Sequence, residues 1–300
     1  MKSLAALWLL LPAVAPAQFG LLQPAGSLDL GRSPVTQLVA RGSKVYAVVS
    51  NASGSVVIAI DSYLFVRDGI SLGKDPVTAL DVDESGQVYV VFGGTRLAVF
   101  SPKWAQIKTA TLSPPVAALV VSGGVPFTVG TDGGVRALDS PDSRFSVAKY
   151  PAPWVIFGAG KNELGLLDTA AGLVHTVEVH GQYVVDTGLA GSFKSGFVSA
   201  TGTPDGRVYV MGKAQSDELS MVQCRPGPLH IIDLEVPSGM SPRFMAATND
   251  RLYLADTRGT IAFYDLPAQA ATAVAGRAPW RGLSSLMPHT FVSVTHPHKL

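Results

Sequence analysis

The sequence predicts an all-β protein assembled from one short β-unit written many times along the chain. Three observations carry this. Only 15% of the 300 residues are charged, while Gly (31) and Pro (21) are abundant, the composition of short strands joined by tight turns. The phrases "DVDESGQVYVVFGGTRLAVFSP" (81–102) and "AATNDRLYLADTRGTIAFYDLP" (246–267) share one pattern: a polar turn, a Val/Leu-Tyr-Val/Leu strand, a small polar gap and a second apolar strand. The bulky residue at the centre of the second strand recurs as Tyr46, Tyr89, Phe127, Leu164, Tyr209 and Tyr253, at intervals of 43, 38, 37, 45 and 44 residues. A period near 40–45 residues with four strands per unit is that of a β-propeller blade.

Taken in order, residues 1–17, "MKSLAALWLLLPAVAPA", place Lys2 ahead of an apolar stretch and the small-residue site Ala15-Pro16-Ala17. This predicts a signal peptide cleaved before Gln18, leaving a single propeller domain over 18–300 in a secreted or periplasmic setting. The apolar run is shorter than the roughly 20 residues a spanning helix needs, so no transmembrane anchor is expected. Residues 19–31, "FGLLQPAGSLDLG", read as third and fourth strands lacking a first and second. The linking phrases "LDLGRSPVTQL", "SLGKDPVTAL" and "TLSPPVAAL" set Pro34, Pro76 and Pro115 where a first strand begins and no ladder donor is required. Strands read as third in their units end in Asp61, Asp139, Asp233 and Asp265, which suits turn capping by a carboxylate. The fourth unit, "APWVIFGAGKNELGLLDTAAGLVHTVEVHG", lacks the aromatic anchor. Residues 213–229, "KAQSDELSMVQCRPGPL", read as the longest gap between a second and a third strand, and so as a surface insertion. "HTFVSVT" (289–295) reads as a first strand. The expected ring therefore has seven four-stranded blades, the last completed by residues 19–31 pairing with 289–295, with six blades as the alternative. Closure of this kind removes exposed sheet edges.

The units resemble the extracytoplasmic propeller repeats grouped as NHL, YVTN and SMP-30-like, within the WD40-like superfamily. The residues that carry the resemblance are "TPDGRVYVMG" (203–212) and the two phrases above, and it extends over nearly all of 19–295. Gly-His and Trp-Asp pairs do not mark the units, so WD40 repeats proper are less similar. The resemblance implies the ring fold; its motifs are strand-and-turn grammar that says little about function. Some of the proteins resembled are enzymes: metal-dependent lactonases, streptogramin-type lyases and quinoprotein dehydrogenases.

Composition narrows the function classes. Cleavage removes Lys2 from the 23 basic residues, leaving as many as the 22 acidic ones, so no long-range field draws nucleic acid or anionic lipid. One cysteine, Cys224, rules out an intrachain disulfide framework. The five glutamates, Glu84, Glu163, Glu178, Glu218 and Glu235, do not fall where a channel-lining cation site would need them. His296 and His298 have i,i+2 spacing but no acidic company, and there is no G-x-S-x-G. No catalytic residue, metal or cofactor is assigned. The leading expectation is an exported, monomeric binding or scaffold protein whose partner is a protein, glycan or small ligand. The alternative is a hydrolase or quinoprotein-like oxidoreductase with its site at the channel mouth. The candidate contact residues are Asp217, Glu218 and Arg225 in the 213–228 insertion, with Trp154, Arg243, Trp280 and Arg281 near the channel rim.

Overall fold

The computed structural model describes residues 21–31, 33–138, 144–145, 154–160, 163–168, 173–180, 183–192, 197–213, 219–225 and 230–267. The chain opens with β1 (Leu21–Leu22) and β2 (Gly26–Asp29). Sheet I follows as β3 (Val35–Arg41), β4 (Lys44–Asn51), β5 (Gly54–Asp61) and β6 (Val66–Gly73). Sheet II is β7 (Val77–Val82), β8 (Val88–Phe92), β9 (Arg96–Phe100) and β10 (Gln106–Thr111). Sheet III is β11 (Val116–Ser122), β12 (Val125–Gly130), β13 (Val135–Ala137) and β14 (Arg144–Phe145). Sheet IV is β15 (Trp154–Gly158), β16 (Glu163–Asp168), β17 (Leu173–His180) and β18 (Tyr183–Ser192). Sheet V is β19 (Phe197–Gly202), β20 (Val208–Lys213), β21 (Leu219–Arg225) and β22 (His230–Leu234), with β1 added in parallel outside β22. Sheet VI is β23 (Pro242–Ala247), β24 (Arg251–Asp256) and β25 (Thr260–Asp265), completed by β2. The expected all-β propeller is the fold observed.

One apolar cluster lies in each gap between successive sheets: I with II, II with III, III with IV, IV with V, V with VI, and VI with I. This explains why the second strands read as continuous apolar runs. Along β4, Val45, Ala47 and Val49 face sheet VI while Tyr46 and Val48 face sheet II, so both faces are buried. The bulky residue of each unit fills the gap toward the following sheet: Tyr46, Tyr89, Phe127, Tyr209 and Tyr253 all do so. The turn after the following sheet's third strand then drops an apolar residue into the same gap. Leu64 does so beside Tyr253, Trp104 beside Tyr46 at 6.4 Å between ring centroids, and Leu266 beside Tyr209.

Sheet IV departs from the expected anchor. Leu164 faces back toward sheet III, and the anchor position is Gly165, opposite Phe157 in register. The Phe157 ring occupies the place a β-carbon on Gly165 would take. The first strand supplies the aromatic that the second strand lacks.

Two further expectations change. Residues 219–225 are not an insertion but β21, the third strand of sheet V, paired with β20 on one side and β22 on the other. Asp233 accordingly sits in a fourth strand. The closing strand also has a different partner. Gly26–Asp29 pair with β25, whose outer edge would otherwise be left open: among the described residues the unit that begins at Pro242 supplies three strands. Residues 289–295 lie outside the described residues, as does Asp139. Asp61 does cap its turn, its Oδ1 accepting the amides of Tyr63 (2.9 Å) and Phe65 (3.0 Å).

Candidate functional site: the two mouths of the channel

The first strands β3, β7, β11, β15, β19 and β23 neighbour one another in a closed cycle and surround a channel of about 330 Å³. Their side-by-side alignment is fixed by side chains that cross from one to the next. Gln37 Nε2 donates to the Thr78 carbonyl (3.2 Å) near their starts, and Arg41 Nε donates to the Val82 carbonyl (2.7 Å) near their ends. The face where first strands begin is termed the front, and the face where they end the back.

The back mouth is tied off on one side by charge. Arg41 Nη2 donates to the Val121 carbonyl (3.0 Å), with Asp81 Oδ1 at 3.5 Å and Glu84 at 3.8 Å from the guanidinium. Asp81 is buried; its Oδ2 accepts the Val121 amide (2.5 Å) and its Oδ1 the Val82 amide (2.7 Å). Burial pushes the Asp81 carboxyl up from the usual range, against the pull of Arg41 and the two amides. The carboxylate accepts from groups on β3, β7 and β11, so it staples these three strands together. Across the channel, sheet V closes on sheet IV through backbone: Gly202 stands so near the Gly158 carbonyl that a β-carbon would not fit.

The front mouth is built by a repeated irregularity. In β3, β7, β11, β19 and β23 the pairing with the second strand skips one residue just after the first, leaving Thr36, Thr78, Ala117, Val198 and Arg243 as the extra residue of a β-bulge. A bulge bends the strand and re-aims the side chain it frees. β15 has no such skip, and Val155 lines the channel there. The rim is thus hydroxyls, small apolar groups and one guanidinium; none of these residues is acidic.

Arg243 differs from the other arginines whose side chains are described. On the front face Arg96 pairs with Asp75, Arg136 with Asp132 and Arg258 with Asp256. The Arg136 guanidinium holds the Asp132 carboxyl down at about 2. Toward the back, Arg67 pairs with Asp61, Arg207 with Asp205 and Arg251 with Asp265. Arg207 also donates to the Asn249 carbonyl and Arg251 to the Ser62 carbonyl, clasping the next sheet in each case. Arg243 is exposed at the channel rim and lies against no carboxylate among the described residues.

Of the residues singled out from the sequence, Trp154 begins β15 at the front, paired with Asp168, and Arg243 lines the channel. Arg225 ends β21 in register with Val208, which places it at the back, away from the other two. Asp217, Glu218, Trp280 and Arg281 lie outside the described residues, as do His296 and His298. The bulge residues Thr36, Thr78, Ala117 and Val198 carry no mark of their own in the sequence; the recurring Pro-Val-Thr and Pro-Val-Ala was the available signal for the first three, and Val198, after Gly-Phe, had none. Among the described residues no group of three or more His, Cys, Asp or Glu side chains is placed to hold a metal ion, and no helix is long and apolar enough to cross a membrane.

No family model matches the chain, and no curated protein does. Solved structures do resemble it. The β-propeller domain of Cps50 (Swd1) from Myceliophteria thermophila superposes with a TM-score of 0.59 at 10% identity, over 82% of this chain and 100% of that one. The WD40 β-propeller domain of Doa1 gives 0.55 at 13% identity, over 82% and 97%. Virginiamycin B lyase from Staphylococcus aureus gives 0.52 at 12% identity, over 81% and 99%. At these identities the likeness is one of fold: the chain has a β-propeller architecture.

Proposed function

We propose that this protein is an exported binding scaffold, a six-bladed ring that receives a protein partner at the front mouth of its channel. The blade count rests on the six apolar gaps, each shared by successive sheets and the last joining sheet VI to sheet I. Export rests on the leader-like residues 1–17. The observation that carries the binding reading is the bulge repeated at the second residue of β3, β7, β11, β19 and β23. Bulges cost ladder hydrogen bonds, and a ring that needed only to hold itself together has no use for the same defect at the same rim position around the channel. A channel of about 330 Å³ is at the small end for a ligand pocket, enough for one or two inserted side chains, while the rim offers a broader surface. Trp154 belongs to this surface by its position at the start of β15.

Site-specific photocrosslinking in the producing cells tests the reading. A crosslinking residue at Ala117 or Val198 is expected to capture one recurring protein, and the same residue at Ser85 on the back face is expected to capture none. Adducts from Ser85 alone, or none from the front positions, would overturn it.

A further inference from the structure

Resting on the front-mouth reading, the inference concerns the chemistry recognised there. We propose that Arg243 is the anchor for a single carboxylate presented to the channel mouth.

Four observations converge on this. First, Arg243 is the extra residue of its bulge, so its side chain is released from the strand's alternation and turned at the rim. Second, it is exposed and without a carboxylate partner, whereas Arg96, Arg136 and Arg258 on the same face each have one. Among the arginines whose side chains are described, the unpaired guanidinium is thus the one at the front rim of the channel. Third, the residues at the same level of the other first strands, Thr78, Ala117, Val155 and Val198, combine one hydroxyl with small apolar groups and add no negative charge that would repel an anion. Fourth, the back mouth holds the opposite arrangement: Arg41 is already committed to Asp81, Glu84 and two carbonyls. Among the described residues the two ends of one channel are thus electrostatically distinct, Arg41 being committed at the back and Arg243 unpaired at the front.

The ligand class follows from the donor count. A guanidinium offers a planar fork that matches the two oxygens of one carboxylate. A phosphate dianion calls for more than one cation or a nest of backbone amides, and the rim has a single Arg among the described residues. The apolar neighbours Val155 and Val198 suit a short aliphatic group beside the carboxylate. Chain termini, acidic side chains of a protein partner and free aliphatic acids share this chemistry.

The test uses the purified full chain and four probes: the tripeptide Ala-Val-Ala with a free carboxyl terminus, its C-terminal amide, acetate, and inorganic phosphate. Binding is followed by NMR at the Arg243 Nε–Hε resonance and at the Ala117 and Val198 amides. The acid peptide is expected to bind on the order of tenfold more tightly than its amide, the worth of one charge-assisted pair at a half-open site. R243Q is expected to abolish that preference, and R243K to retain part of it through charge without the fork. Because Arg243 makes no ion pair with the described residues, both variants should melt with the wild type. Saturable binding of acetate as well would mark free acids as ligands, and binding of the peptide acid alone would mark a chain terminus; either supports carboxylate recognition. Equal affinity for acid and amide, a preference surviving in R243Q, or stronger binding of phosphate would overturn it. Crosslinks from Ala117 and Val198 that persist in R243Q, together with equal affinity of the wild type for acid and amide, would leave the scaffold reading standing and remove only the carboxylate.

Discussion

Gly165 and Phe157 offer a direct test of how the ring is packed. In sheet III the first-strand residue Val120 stands opposite the second-strand anchor Phe127, whereas in sheet IV Phe157 stands opposite Gly165. The two sheets hold one aromatic ring each at equivalent places, delivered from opposite strands. Phe157 is 7% exposed and packs with Leu167, Val174, Ala200 and Val210 in the gap between sheets IV and V. Replacing it with Val leaves a hole that Gly165 cannot fill, and F157V should cost about 2–3 kcal/mol, below the range for truncation of a buried Phe to Ala. G165F alone drives a second ring into space that Phe157 already fills and should cost about 3 kcal/mol. The double variant F157V/G165F reproduces the sheet III pair. It should cost about 2–3 kcal/mol, no more than either single change and well short of their sum, a coupling of about 3 kcal/mol between the two sites. In a chain of this size each single change lowers the melting temperature by roughly 5–10 °C, and the double change by no more than either single one. Urea unfolding of the four proteins, followed by far-UV circular dichroism, closes the cycle. If the double variant is destabilised by the sum of the singles, the two positions do not share one cavity and the anchor argument is wrong.

Two other outcomes follow from the structure. Replacing residues 213–228 by a Gly-Asn turn removes β21 from the middle of sheet V and should abolish cooperative unfolding; a soluble product with a native melting transition would show that Leu219–Arg225 is dispensable surface. The Asp132 carboxyl, held down at about 2 by Arg136, should titrate near that value by NMR and move back toward about 4 in R136Q. Since its folded-state pKa is depressed, the pair's contribution to stability is present above about pH 4 and is lost as pH falls through about 2; a midpoint unchanged in R136Q would remove Arg136 as the cause.

The blade period, the apolar central strands and the prolines before β3, β7 and β11 were all legible in the chain, because each is enforced locally. A strand buried on both faces must be apolar throughout, and a proline is tolerated only where no ladder donor is used. The Asp61 cap was legible for the same reason, its acceptor lying within a few residues of its donors. Leu164 was a misleading anchor because the ring filling that place comes from Phe157, on a strand whose register with β16 no local pattern reveals. "LSMVQCR" passed for a loop because the gap on either side of it was measured against its neighbours and not against a partner strand. The closing strand was recognisable as a strand, yet its partner is β25, since pairing across some 230 residues of chain depends on which edge the folded ring leaves open. At the site, Arg243 could be placed near a rim from its position at the start of a unit. That it stands unpaired there while Arg96, Arg136 and Arg258 do not depends on carboxylates supplied by other turns. The sequence thus determined what repeats, through local rules of burial and turn chemistry; the tertiary structure decided which strand closes the ring and which cation is left free, because both are set by neighbours distant along the chain.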